Sequence, residues 1–318
     1  MGNLILKAIK SILLSKFVDL EIIVMTSMKD ASFYNTKTVY TQGGPAAKRN
    51  MGLRFANHDI IAFFDDDVEV TPTTIHEMVK ILNQNSVGMV FGKLRNMERR
   101  DQFDEAGSFL TPTGFLWARA ESGIRDTGQY DRLEHVLAGK SASCLIHRKV
   151  LSEAGLFDPV YDILGEETDL AWRVWLYGYS VYYVPSSVSY HAFNTRWKPT
   201  NFYSPKRVYF NGCRNYISML ITNLEIINIP VIVTVQVLTW FAAGMGMFLT
   251  GKFQAGYNIM KGLVWVTTHL RDILRKREKV QSQRKISDRD LFKFIMRKPP
   301  INYFTNRFFH YIKHGRHG

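Results

Sequence analysis

Residues 59–70 read DIIAFFDDDVEV: five apolar residues in a row, then three aspartates, then a short alternating stretch. A short apolar run stopped by charge is the pattern of a strand buried on both faces, as in α/β proteins. In open α/β sheets ligands bind beyond the carboxyl ends of the strands, which is where these aspartates should lie. Alternation along an extended chain puts Asp65 and Asp67 on one face and turns Asp66 away. Crowded carboxylates repel one another, and a hard divalent cation such as Mg²⁺ or Mn²⁺ relieves that repulsion. A solvated acidic turn is the competing reading.

Outward from this run, strand and helix patterns alternate. Upstream lie a helix over Ala46 to Ala56, a short apolar strand over Glu21 to Met25, and an amphipathic N-terminal helix on Leu4, Ile5, Ala8, Ile9, Ile12, Leu13 and Phe17. Lys7, Lys10 and Lys16 interrupt any secretory h-region, and Gly2 has no Ser or Thr at position 6 to suit myristoylation. Downstream come a helix over Thr73 to Asn83, a strand over Val87 to Phe91 and a polar loop over Ile124 to Glu134. A strand over Ser143 to Ile146, a helix over Thr168 to Tyr177 and a strand over Val181 to Pro185 follow. Strands alternating with helices predict an α/β domain around a mostly parallel sheet.

Two further clusters carry chemistry. In GEETDLAWR (Gly165 to Arg173), helix-start acids suit the helix dipole and Asp169 with Arg173 makes an i,i+4 pair. That structural account does not require both Glu166 and Glu167, so a carboxylate there is a candidate general base if it faces the metal site. His191 follows the run VYYVPSSVSYH and reads either as a structural histidine or as a further ligand.

Taken together, the chain resembles a family 2 glycosyltransferase of the GT-A type over most of residues 1–220. GGPAAKRNMGLRFANHDIIAFFDDDVEV resembles the family's segment from a Gly-Pro-Ala-x-x-Arg-Asn helix start into the Asp-x-Asp strand. LAGKSASCLIHRKVLSEAGLFDP resembles its acceptor-side segment, and GEETDLAWRVWLYGYSVYYVP its Glu-Asp-x-Asp helix. The resemblance implies a GT-A fold, a mixed and mostly parallel sheet flanked by helices, and an inverting, metal-dependent, hexosyl- or rhamnosyltransferase-like activity. It implies that Asp65 and Asp67 hold Mn²⁺ or Mg²⁺ on the diphosphate of a nucleotide-sugar, with His191 as a third ligand. Arg49, in the Gly-Pro-Ala helix start, falls with Asp65 and Asp66 on the donor side as a phosphate contact, a surface charge on the helix being its competing reading, and Gly139, Lys140 and Trp172 fall on the acceptor side. Glu167, with Glu166 beside it, stands where the family has its catalytic Asp, keeping a carboxylate but adding a methylene. Family members also begin with a strand that helps bind the nucleotide base, and here Met1 leads straight into the helix that should follow it. Either the start is assigned downstream of the true one or the sheet lacks that strand. The former is favoured, because losing a central strand exposes apolar neighbours and unpaired backbone.

Composition completes the reading. With 46% hydrophobic and 22% charged residues, wholesale disorder is excluded. Cys144 and Cys213 stand alone, which argues against a zinc site or a disulfide framework. The net charge is +13, yet residues 271–318 hold 14 Lys and Arg against 4 Asp and Glu, so the body of the chain is nearly neutral. Before this tail, Ile226 to Thr250 runs 25 residues without a charge. At about 1.5 Å per residue that is long enough for a hydrocarbon core of about 30 Å. Ala255 to Leu270 is a second, weaker apolar stretch. Arg196, Lys198, Lys206, Arg207 and Arg214 lie before these segments and the basic tail after, so the positive-inside tendency favours both flanks in the cytoplasm.

The expected organisation is therefore a GT-A domain over 1–220, a membrane-embedded or interfacial helical segment over 221–270, and a basic amphipathic tail over 271–318. The expected partners are a nucleotide-sugar, a glycan or lipid-linked acceptor and anionic lipids. A catalytically inactive, membrane-associated sugar-nucleotide-binding or scaffold protein is the alternative. Nucleic-acid binding through the tail, with Phe292, Phe294, Tyr303, Phe304, Phe308, Phe309 and Tyr311 available for stacking, is disfavoured because no compact motif accompanies it.

Overall fold

The computed structural model describes residues 2–17, 19–161, 163–192 and 204–299. They fall into two compact units, one drawn from residues 1–108, 118–162 and 166–197, the other from 109–117, 163–165 and 198–318.

In the first unit α1 (Gly2–Leu13) buries Ala8 and Ile9, and its Ser11 hydroxyl accepts the Val70 amide at 3.0 Å. Strands β1 (Ile23–Thr26) and β2 (Lys37–Tyr40) pair in parallel as a small sheet of their own. Helix α2 (Pro45–Leu53) starts with a proline, whose missing amide is not needed in a first turn. Then come β3 (Ile60–Phe64), β4 (Val68–Val70), α3 (Thr74–Leu82), β5 (Val87–Asn96) and β6 (Phe103–Glu105). Two short strands, β7 (Ser108–Leu110) and β8 (Leu116–Ala118), lie mostly in the second unit and pair with each other. The remainder is β9 (Glu134–His135), β10 (Ser143–His147), α4 (Arg148–Ala154), α5 (Glu166–Leu176) and β11 (Ser180–His191).

The main sheet has the order β3-β10-β5-β11-β4, with β6 on β5 and β9 on β11. It is mixed and flanked by helices. Among the described residues the parallel strand pairs are β1–β2 and β5–β11, since β10 enters between β3 and β5 and runs against both. Helix α3 packs Ile75, Met78, Val79 and Leu82 onto Val87, Val90, Leu145 and Val184. Each such buried side chain contributes about 1.5–3 kcal/mol.

One irregularity positions the site. Pro185 lies inside β11, where proline removes a ladder hydrogen bond. The β11–β5 register shifts between Val184 and Val188, and this bulge absorbs the loss. Gly92 faces the bulge: a Cβ there would stand 2.8 Å from Ser187 Oγ and 2.9 Å from Ser143 Oγ, so a larger residue could not sit without displacing them. Past the bulge β11 pairs with β4, setting His191 opposite Val68 and beside the aspartates.

The second unit is helical: α6 (Pro205–Asn223), α7 (Ile229–Leu249), α8 (Phe253–Thr268), α9 (Leu270–Ser282) and α10 (Asp288–Ile295). Helix α6 packs on α8 and α9 within this unit. Among the described residues α7 is the one helix long and apolar enough to cross a membrane. Its Ile232, Gln236, Trp240, Ala243 and Met247, spaced by three or four, are buried. Gln236 Nε2 donates to the Thr113 carbonyl at 2.9 Å, and Ile232 lies against Gly114. The outward side carries Val231, Leu238, Phe241, Met245 and Leu249, all exposed. Helix α8 approaches closely through glycines, a Cβ at Gly256 lying 2.9 Å from the Gly244 carbonyl oxygen, and exposes Phe253, Tyr257 and Val264. Arg196, Lys198 and the aromatic tail residues from Tyr303 onward lie outside the described residues.

Candidate metal and catalytic site

The three aspartates follow β3 directly, and the Val68 amide closes their turn by donating to the Asp65 carbonyl at 3.2 Å. Asp66 is exposed, Asp65 half-buried and Asp67 buried. Asp67 Oδ1 lies 3.2 Å from His191 Nε2. One ligand atom from each of Asp65, Asp67 and His191 falls within 4.8 Å of the others. Two carboxylate oxygens and an imidazole nitrogen are a donor set suited to Mn²⁺ or Mg²⁺.

The other nitrogen of His191 is occupied. Nδ1 lies 2.8 Å from Asp104 Oδ2, and Asp104 Oδ1 accepts from Lys140 Nζ at 2.7 Å. Burial alone would lower the His191 pKa, yet hydrogen bonds to Asp104 and Asp67 outweigh it and push the pKa up to about 9. Burial likewise opposes ionisation of Asp104, and the Lys140 charge with the His191 hydrogen bond wins, holding that carboxyl well below the usual range.

Arg49, on α2, joins this group to α5. Its Nη2 donates to Asp65 Oδ1 at 2.9 Å and its Nη1 to Glu166 Oε1 at 3.1 Å. The residue expected on the donor diphosphate therefore has both arms on carboxylates here. Burial, and then the neighbouring Glu166 charge, raise the Glu167 pKa well above the ordinary glutamate value. A carboxyl tuned upward in this way is a stronger proton acceptor once ionised.

The remaining sequence candidates divide. Asp169 and Arg173 form the expected pair, buried, with Arg173 Nε donating to Asp169 Oδ2 at 2.9 Å. Gly139 packs on Phe91, where a Cβ would lie 2.8 Å from Cγ of the ring. Trp172, expected on the acceptor side, is fully buried within α5. Sequence reasoning passed over Asp104 and Glu105 on β6, both buried; burial pushes the Glu105 carboxyl up to about 7. The available signal was two acids inside the apolar stretch FDEAGSFL, a costly place for charge without a partner.

Residues 2–154 match the model of the family described as Glycosyl transferase family 2. The chain is similar to the crystal structure of S. aureus TarS 1-349, with a TM-score of 0.53 and 14% identity over 89% of this chain and 80% of that one. It is also similar to the crystal structure of GalNAc-T7 with UDP, GalNAc and Mn²⁺, with a TM-score of 0.52 and 14% identity over 69% of this chain. In that case it spans 46% of the other chain, less than half its length. At such identities these likenesses concern the fold, which is the GT-A fold expected from the resemblance.

The His191 contacts give a pH dependence to the metal-free protein. The pKa is raised from 6.5 to about 9, so the stabilisation is fully present below pH 6.5 and lost as pH rises through about 9. Denaturant titrations of metal-free protein from pH 6 to 10 should show this loss, and His191→Gln should flatten it.

Proposed function

We propose that the protein is an inverting glycosyltransferase that moves a sugar from a nucleotide-sugar to a hydroxyl of a glycan or lipid-linked acceptor at a membrane surface. The observation that carries the reading is the convergence of Asp65, Asp67 and His191 with Glu166 and Glu167, joined through Arg49. Asp65, Asp67 and His191 would hold Mn²⁺ or Mg²⁺, which supplies positive charge against a leaving diphosphate. Glu167 takes the proton of the acceptor hydroxyl, and the raised pKa suits it to that work. Attack from the face opposite the leaving group inverts the anomeric carbon. Asp66, exposed beside the ligands, lies on the donor side. With Asp65 engaged as a ligand, Arg49 would have one arm available for a donor phosphate. Gly139 and Lys140 border the acceptor.

The membrane part of the reading rests on α7. A helix apolar on every side belongs in a core or in lipid. With one side held by Gln236 and Ile232, the outward side of α7, with Phe253 and Tyr257 of α8, is suited to lie in the plane of a leaflet. Arg271 and Arg275 on α9, and the basic residues after them, would meet anionic headgroups on the cytoplasmic side, each contributing about 1 kcal/mol near the surface.

Full-length protein supplied with Mn²⁺ should release nucleoside diphosphate from one member of a panel of nucleotide-sugars when acceptor is added. Asp67→Ala should remove that turnover by at least about 100-fold, and Glu167→Gln should lower kcat by about 10²–10⁴-fold. NMR of the product should show the inverted anomer. Donor binding with no turnover on any acceptor would favour the inactive scaffold. In a second measurement, full-length protein should float with anionic vesicles and be stripped by alkaline carbonate. A Leu238→Asp, Phe241→Asp double variant should lose most of that recovery.

A further inference from the structure

We propose that Asp104 is a positioning residue for the metal centre: it fixes the tautomer and ring orientation of His191, and Lys140 holds Asp104 in place. The inference rests on the reading of Asp65, Asp67 and His191 as metal ligands.

A neutral imidazole can offer a lone pair to a metal from one nitrogen only, and the other must carry the hydrogen. Which nitrogen is free is decided by the partner of its opposite number. In this structure Nδ1 lies 2.8 Å from Asp104 Oδ2, so the Nδ1 hydrogen has an acceptor and Nε2 is the nitrogen turned to Asp67, 3.2 Å away. The two strands involved are not neighbours. His191 ends β11 and Asp104 lies on β6, and both elements pair with β5, so the contact is made across the sheet rather than along one chain segment.

Asp104 is itself constrained. Its second oxygen accepts from Lys140 Nζ at 2.7 Å, and the same ammonium lies 3.3 Å from the Asp104 carbonyl. Both Asp104 and His191 are 3% exposed, so water is not a substitute partner for either. A carboxylate held at both oxygens cannot rotate away from the imidazole, and the charge of Lys140 meets the cost of burying it. Asp104 is outside the Asp65, Asp67 and His191 ligand group, which gives it a supporting place rather than a ligand's. Lys140 thereby gains a role beside the acceptor-side one: it anchors the partner of a ligand.

The test is Mn²⁺ binding to full-length protein without donor, read from the EPR signal of unbound Mn²⁺. Four proteins are compared: wild type, Asp104→Ala, His191→Ala and the double variant. Removal of a supporting partner typically weakens metal binding by about 10–100-fold, and Asp104→Ala should fall in that range. Because Asp104 acts through His191, adding Asp104→Ala to His191→Ala should change the affinity no further. Circular dichroism establishes folding, and Asp104→Asn, of the same shape, is read in the same way if the alanine variant does not fold. An Asp104 variant within about twofold of wild type, or a double variant weakened by the full sum of the singles, would overturn the proposal. So would failure of both Asp104 variants to fold, which would make the residue one of the core. Wild-type protein that binds no Mn²⁺ would instead remove the metal reading itself, a failure distinct from the others.

Discussion

Carboxylates gathered at one end of a sheet repel, and the arrangement of this site is an answer to that repulsion. Two like charges about 4 Å apart near a protein surface cost about 4 kcal/mol. Asp65 and Asp67 close β3, and Glu166 and Glu167 open α5. Two side chains tie most of them together in the structure: Arg49 between Asp65 and Glu166, and His191 between Asp67 and Asp104. The fold delivers both. Arg49 arrives on a helix begun by proline, and His191 on a strand whose bulge at Pro185 sets its final register against β4. A divalent metal held by Asp65, Asp67 and His191, as proposed, would supply the positive charge that these side chains supply between them here. Arg49 and His191 thus do for the metal-free protein what the metal would do in the working enzyme.

The same logic of unsatisfied surface runs through the helical unit. Helix α7 has no charge to mark an outside, so its two sides are separated by what they touch. Gln236 and Ile232 seat one side on the Thr113–Gly114 turn, and the close approach of Gly244 and Gly256 brings α8 alongside. What is left outward is Val231, Leu238, Phe241, Met245 and Leu249, a side that water does not favour and that acyl chains would accept. Hydrophobicity read along the chain could not distinguish crossing a bilayer from lying in one, because only the fold shows that a buried glutamine near the helix centre is tied to a loop.

Much of the site was legible in the sequence because its residues are consecutive or sit at the ends of strong elements. Three aspartates after five apolar residues, two glutamates at a helix start and a histidine closing a strand all announce themselves locally. Asp104 did not, because its meaning depends on a histidine 87 positions away. The short strands β2, β4 and β6 through β9 were not foreseen, since two to four residues carry too little alternation to read. That the Trp172 side chain is fully buried is a fact of how α5 packs, which the motif around it does not convey. Arg49 was read as a phosphate contact, and only the structure reveals its present partners. Which strands run against the others, β10 between β3 and β5 and β4 beside β11, is set by pairing that no local pattern foretells.

The central claim is that Asp65, Asp67 and His191 form one metal site. Anomalous X-ray diffraction from crystals of full-length protein grown with Mn²⁺ tests it most directly. The account predicts a single strong peak within about 2.0–2.6 Å of an oxygen of Asp65, an oxygen of Asp67 and Nε2 of His191, with the Arg49 contact to Asp65 loosened. A peak at other residues, or none while Arg49 and His191 keep their present partners, would contradict it.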